Sequence, residues 1–155
     1  MKQYFTGRNR VRNVVFFITT VLILAFIWGN SMYSKQESAA ESESVTTLLF
    51  DFFAGIVGAE NVTDHLVRKI AHFVEFFAFG VSLEMLYAGL PMQTRRRIFS
   101  TAGASLLVAL IDETIQIFSE RGSMVADVWL DFSGALTGTL LLALALFCVQ
   151  KIKNH

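Results

Sequence analysis

Four apolar stretches, each about as long as a bilayer is thick, leave this chain few ways to fold. Three of them, at about 14–30, 98–118 and 128–149, have the length and composition of a membrane-crossing helix, which needs roughly 20 apolar residues. A fourth, at about 70–90, is apolar apart from His72, Glu75, Ser82 and Glu84. Lipid offers a backbone no hydrogen-bond partner, so such stretches close their own bonds as helices. The expected architecture is all-α, a polytopic bundle of four transmembrane helices in a single domain over residues 1–155. Basic residues precede the first run as they would in a secretory signal. That run is longer than a signal's apolar core and no small-x-small site closes it, so it reads as a retained span.

Composition narrows the class further. Apolar residues make up 54% of the chain and charged residues only 17%, both departing from soluble proteins in the same direction. Thirteen basic residues balance thirteen acidic ones, which gives no field to draw nucleic acid. The single Cys148 excludes an intrachain disulfide and a thiolate metal cluster.

Orientation follows from where the basic residues fall. Lys2, Arg8, Arg10 and Arg12 precede the first span, Arg95, Arg96 and Arg97 separate the second from the third, and Lys151 and Lys153 follow the fourth. These segments hold nine of the thirteen basic residues and no acidic one, so both termini and an arginine-bearing turn are expected in the cytoplasm. The expected location is multi-pass in the plasma membrane, with residues 31–69 and the short connection around Arg121 outside. Within the outer segment, residues 35–44 are small, polar and acidic, as in a solvated linker. Residues 45–57 are apolar but too short to span, which suits a short interfacial helix. Asn61 or Thr63 is the candidate cap of the helix that becomes the second span.

On this topology the polar residues of three helices reach one level. Arg68, Lys69, His72 and Glu75 occupy the first two turns of the second span, within roughly 11 Å along its axis. Arg68, His72 and Glu75 share a face. Asp112, Glu113 and Gln116 lie in the last turns of the third span. Asp127 and Asp131 open the fourth, with Gly134 and Gly138 continuing the same stripe. An ionisable group deep in a span costs about 2.5–3.5 kcal/mol, so these side chains are expected to face one another or water. Taken singly, each has an ordinary reading. Arg68 and Lys69 suit interface anchoring, His72 a helix–helix hydrogen bond, and Gly134 with Gly138 a GxxxG packing face. The joint placement is what suggests a site. Five carboxylates stand against three cations there, Arg121 included, an imbalance that either a bound cation or a neutral carboxyl resolves.

Three blocks in this cluster resemble those of the VanZ-like family, named for a teicoplanin-resistance accessory protein. Arg68-Lys69-Ile70-Ala71-His72-Phe73-Val74-Glu75 is similar to its R-K-x-A-H-F-x-E segment, and Asp112-Glu113 with Gln116 and Phe118 to its D-E-x-x-Q-x-F. Asp127-Val128, Asp131, Gly134 and Gly138 follow its D-V-x-x-D-x-x-G-x-x-x-G. Asn30-Ser31 fits the polar exit from the family's first span, and Arg121 stands where the family carries an arginine. The resemblance covers nearly the whole chain. It implies a small bacterial membrane protein associated with reduced susceptibility to glycopeptide antibiotics, and it supplies no reaction.

Three functions compete on this reading. The first is an enzyme or binding protein for an envelope lipid carrying phosphate, such as a lipid-linked precursor. Arg68, Lys69, Gln116 and Arg121 would hold the phosphate. His72, Glu75, Asp112 and Glu113 are the candidate catalytic residues, with His72 and Glu75 as an acid/base pair. Asp112, Glu113, Asp127 and Asp131 offer hard oxygen ligands, which makes a divalent cation the candidate cofactor. No complete motif of known mechanism is present, so whether the chain is an enzyme stays open, as does self-association. The second function is a non-catalytic scaffold or antibiotic-excluding protein whose polar cluster is structural. The third, a transporter, ranks last because the inner half of the bundle offers only Glu84 and scattered hydroxyls.

Overall fold

A computed structural model describes residues 7–32, 63–119 and 124–153. Four helices account for nearly all of them: α1 (Gly7–Met32), α2 (Asp64–Ala88), α3 (Thr94–Phe118) and α4 (Val125–Lys153). Each contains a stretch long and apolar enough to cross a membrane, and no strand occurs among the described residues. The chain is therefore an all-α bundle of four candidate spans. The expected interfacial helix at 45–57, the linker at 35–44 and Arg121 lie outside the described residues.

Helix ends follow local chemistry. Thr63 caps α2 from an extended conformation, its hydroxyl accepting the Leu66 amide at 3.2 Å, which resolves the choice between Asn61 and Thr63. At the far end, Gly89 donates its amide to the carbonyls of Leu86 and Tyr87, and Pro91 lies in the short connection. The helix then resumes at Thr94, so Arg95, Arg96 and Arg97, read as a turn from their charge, form the first turn of α3 instead. Lys151 and Lys153 close α4, where cations complement the partial negative charge of a helix C-terminus.

The helices run alternately up and down. Asn13 near the start of α1 donates to the Gly89 carbonyl at the end of α2 (3.2 Å), and Thr20 meets Ser82 midway at 2.8 Å. Phe76, Phe79 and Leu83 of α2 form a core with Ile27, Val108, Ala109 and Ala135. Large apolar side chains such as Phe17, Leu22, Leu107, Leu141 and Phe147 point away from it, as they must in a bundle solvated by lipid.

The most extensive interface joins α2 to α4, which run parallel. A Cβ added at Gly134 would collide with the Phe73 carbonyl, one at Gly138 with that of Phe77, and one at Gly80 with that of Ala135. The GxxxG stripe thus lies against the α2 backbone. Small residues allow this in a membrane, where packing has to supply the association that the hydrophobic effect supplies in water.

Candidate functional site

The end of the bundle formed by Met32, Thr63, Phe118 and Val125 collects the polar residues. Helical spacing brings His72 of α2 opposite Asp112 of α3 and Asp131 of α4. The His72 Nδ1 stands 3.9 Å from an Asp112 carboxylate oxygen and 3.7 Å from one of Asp131. Asp112 is fully buried and Asp131 is 1% exposed.

The two aspartates differ in how they are held. Asp112 accepts the Ser31 hydroxyl at 2.7 Å on one oxygen and the Gln116 amide at 2.8 Å on the other. Ser31 belongs to α1, so all four helices contribute to this end of the bundle. Its carbonyl also accepts the Ser119 hydroxyl at 2.7 Å, which ties α1 to the end of α3. Neither oxygen of Asp131 accepts a hydrogen bond from a described residue.

Around this centre the remaining charges are distributed. Lys69 pairs with Asp127 at 2.9 Å at a partly exposed position. Glu113 accepts the Met124 amide at 3.2 Å and so ties α3 to the entry of α4. Glu75 accepts the Asn30 amide at 3.2 Å. A cavity of about 250 Å³ opens between the helices. His65, Arg68, Lys69 and His72 form its α2 wall, Glu113 and Gln116 its α3 wall. Asp127, Leu130 and Asp131 close it from α4. Arg68 lines it half-buried and enters no ion pair with a described residue.

Of the residues singled out from sequence, Arg68, Lys69, His72, Glu113, Gln116, Asp127 and Asp131 line this one cavity, with Asp112 directly behind it. Glu75 is held on its Asn30 side, and Arg121 is outside the described residues. A sequence model of the VanZ/LLP1 family matches residues 5–147, nearly the whole chain. The chain belongs to the VanZ/LLP1 family. No curated protein and no solved structure matches it.

Two features of this VanZ/LLP1 bundle were not anticipated. Asn30 and Ser31, noted only as a polar exit, are hydrogen-bond donors to Glu75 and Asp112. At the opposite end, Glu84 is fully buried and pairs with the Arg97 guanidinium, while its second oxygen accepts the Thr101 hydroxyl at 2.9 Å. The cue for this pair was positional: Glu84 and Arg97 stand nearly equal distances before and after the connection between α2 and α3. Val108 and Ala109 bury apolar surface between the two polar levels of α3, and Ser105 and Asp112 are roughly 10 Å apart along its axis.

Proposed function

We propose that this VanZ/LLP1 protein binds the phosphate-bearing head group of an envelope lipid at the outer face of the bacterial plasma membrane. The observation that carries the reading is the 250 Å³ cavity, in which Arg68 and Lys69 stand over His72 and buried carboxylates. A guanidinium matches phosphate oxygens two at a time and an ammonium adds a point charge. The cavity lies at the end of the bundle away from Arg95 to Arg97 and Lys151, the segments that positive-inside reasoning keeps in the cytoplasm. Both termini are then cytoplasmic and the cavity meets the outer leaflet, where lipid-linked wall precursors present their head groups. Association with glycopeptide resistance, teicoplanin in particular, enters through the family resemblance. Gln116 also lines the cavity, and its amide, one N–H of which holds Asp112, would donate the other to the phosphate.

The scaffold reading draws on a different observation. Asp112 and Glu75 are both held by hydrogen bonds from α1, as structural groups would be. Mass spectrometry of lipids that copurify with the detergent-solubilised protein separates the two. A phosphate-bearing lipid retained by wild type and lost from Arg68→Ala at equal membrane abundance supports head-group binding. Equal lipid content in both, or a fall in abundance that accounts for the loss of lipid, favours the scaffold.

A further inference from the structure

We infer that His72, Asp112 and Asp131 form a binding site for one divalent transition-metal ion of the Zn2+ or Mn2+ type, open toward the cavity. One donor atom from each of the three residues lies within 4.8 Å of the others. Four-coordinate ions with bonds of about 2.0–2.1 Å hold their ligands roughly 3.3–3.4 Å apart. The observed separations of 3.7 and 3.9 Å from the His72 Nδ1 need to contract by a few tenths of an ångström, and the aspartate oxygens, which lie within 4.8 Å of each other, by up to about 1.4 Å.

Asp131 is the independent observation. Its carboxylate is 1% exposed, lines the cavity, and has neither oxygen hydrogen-bonded to a described residue. A buried carboxylate left this way is neutralised by a cation or by a proton. Lys69 pairs with Asp127, Arg97 lies at the other end of the bundle with Glu84, and Arg68, although it lines the same cavity, forms no ion pair with Asp131, which leaves the place beside His72 open to a bound ion. Two aspartates and one divalent ion sum to no net charge, which suits a site within a membrane bundle.

Asp112 has the support that metal-bound carboxylates usually have. The Ser31 hydroxyl and the Gln116 amide fix its orientation. This ligand set differs from an all-carboxylate one, because Glu113 is tied to the Met124 amide and Asp127 to Lys69. One imidazole and two carboxylates leave a fourth position facing the cavity, as in zinc sites that keep a place for water or substrate. There a phosphate oxygen would meet the ion while Arg68 holds the rest of the group. That last step rests on the head-group reading; the metal site itself does not.

The test uses the full chain, purified in detergent with a tag free of histidine, stripped with chelator, and loaded with Zn2+ or Mn2+ in phosphate-free buffer. Bound metal is counted by plasma mass spectrometry after gel filtration. Wild type should retain about one ion per chain. His72→Ala and Asp131→Asn should lose it, and Asp127→Asn should keep it. Ser31→Ala, which removes only a hydrogen bond to Asp112, should weaken affinity about tenfold or more. No stoichiometric ion on wild type overturns the site, as does equal metal on wild type, His72→Ala and Asp131→Asn, the mark of an adventitious ion. Should Asp131→Asn fail to elute as a folded species, wild type decides alone. Its melting temperature should fall on chelation and recover on adding metal, and an unchanged value overturns the proposal. Arg68→Ala should keep its ion while losing lipid. Wild type that retains no stoichiometric ion after loading yet copurifies with lipid would remove the metal site and leave head-group binding standing.

Discussion

Replacing Glu84 with leucine strips the buried Arg97 guanidinium of its counter-charge. Glu84 is fully buried, Arg97 is 6% exposed, and the pair joins α2 to α3 just beyond their connection. Breaking a buried pair by removing one partner costs about 3–5 kcal/mol. The lower end applies here, because Arg97 sits in the first turn of α3 and its long stem can carry the charge toward the interface. Thr101 loses its bond to Glu84 but keeps the one from its hydroxyl to the Arg97 carbonyl, at 3.1 Å, so it adds little. A loss of about 3 kcal/mol is roughly a hundredfold in the folding equilibrium. Arg97→Met should cost as much, since it strands the carboxylate instead. The double variant Glu84→Leu/Arg97→Met fills the space with apolar side chains and should come within about 1 kcal/mol of wild type. The assay is reversible unfolding in mixed detergent micelles, followed by helical circular dichroism, for wild type, both single variants and the double. Coupling of about 2 kcal/mol or more between the positions is expected. A single-variant cost under about 1 kcal/mol, or a double variant that loses the sum of the two, would refute the reasoning.

Gly134→Leu should disrupt assembly far more than Leu141→Ala, because a side chain at Gly134 meets the Phe73 backbone whereas Leu141 is 54% exposed; gel filtration and membrane abundance report the difference. Asp127→Asn should shift unfolding by less than about 1 kcal/mol, since its pair with Lys69 is partly exposed. In a chain with Cys148 replaced, a cysteine at Ser42 should react with an impermeant thiol reagent on intact cells and one at Gln93 should not; the reverse pattern would invert the proposed orientation. The double change Asp112→Asn with Asp131→Asn, at matched membrane abundance, should abolish whatever protection against a glycopeptide expression of the wild type is found to confer if a cation is bound. If one carboxyl is merely neutral, the amides should be tolerated.

Hydropathy made the four helices legible because a membrane span must satisfy its backbone within itself, whatever its neighbours are. The polar level on α2, α3 and α4 was legible for a related reason: once the direction of each helix is known, depth follows from residue number. Lateral pairing was not. Asp112 meets His72 and Ser31 because of how the helices are rotated against one another, and no single helix encodes that rotation. Arg97 was grouped with Arg95 and Arg96 as interfacial charge, and only the packing of α3 on α2 sets it apart by burying it. Thr63 was legible as a cap because capping is local, made within three residues of the helix start.

The seam between α2 and α4 has a mechanical consequence. With backbone against side-chain-free backbone at Gly80, Gly134 and Gly138, these two helices have no compressible layer between them and behave as one stiff beam. Two walls of the cavity ride on that beam. The third wall is α3, held at this level by polar contacts that include the hydrogen bonds Asp112 accepts from Ser31 and Glu113 accepts from the Met124 amide. A guest too wide for the resting cavity would therefore be admitted by displacement of α3, with the α2–α4 pair as the fixed jaw.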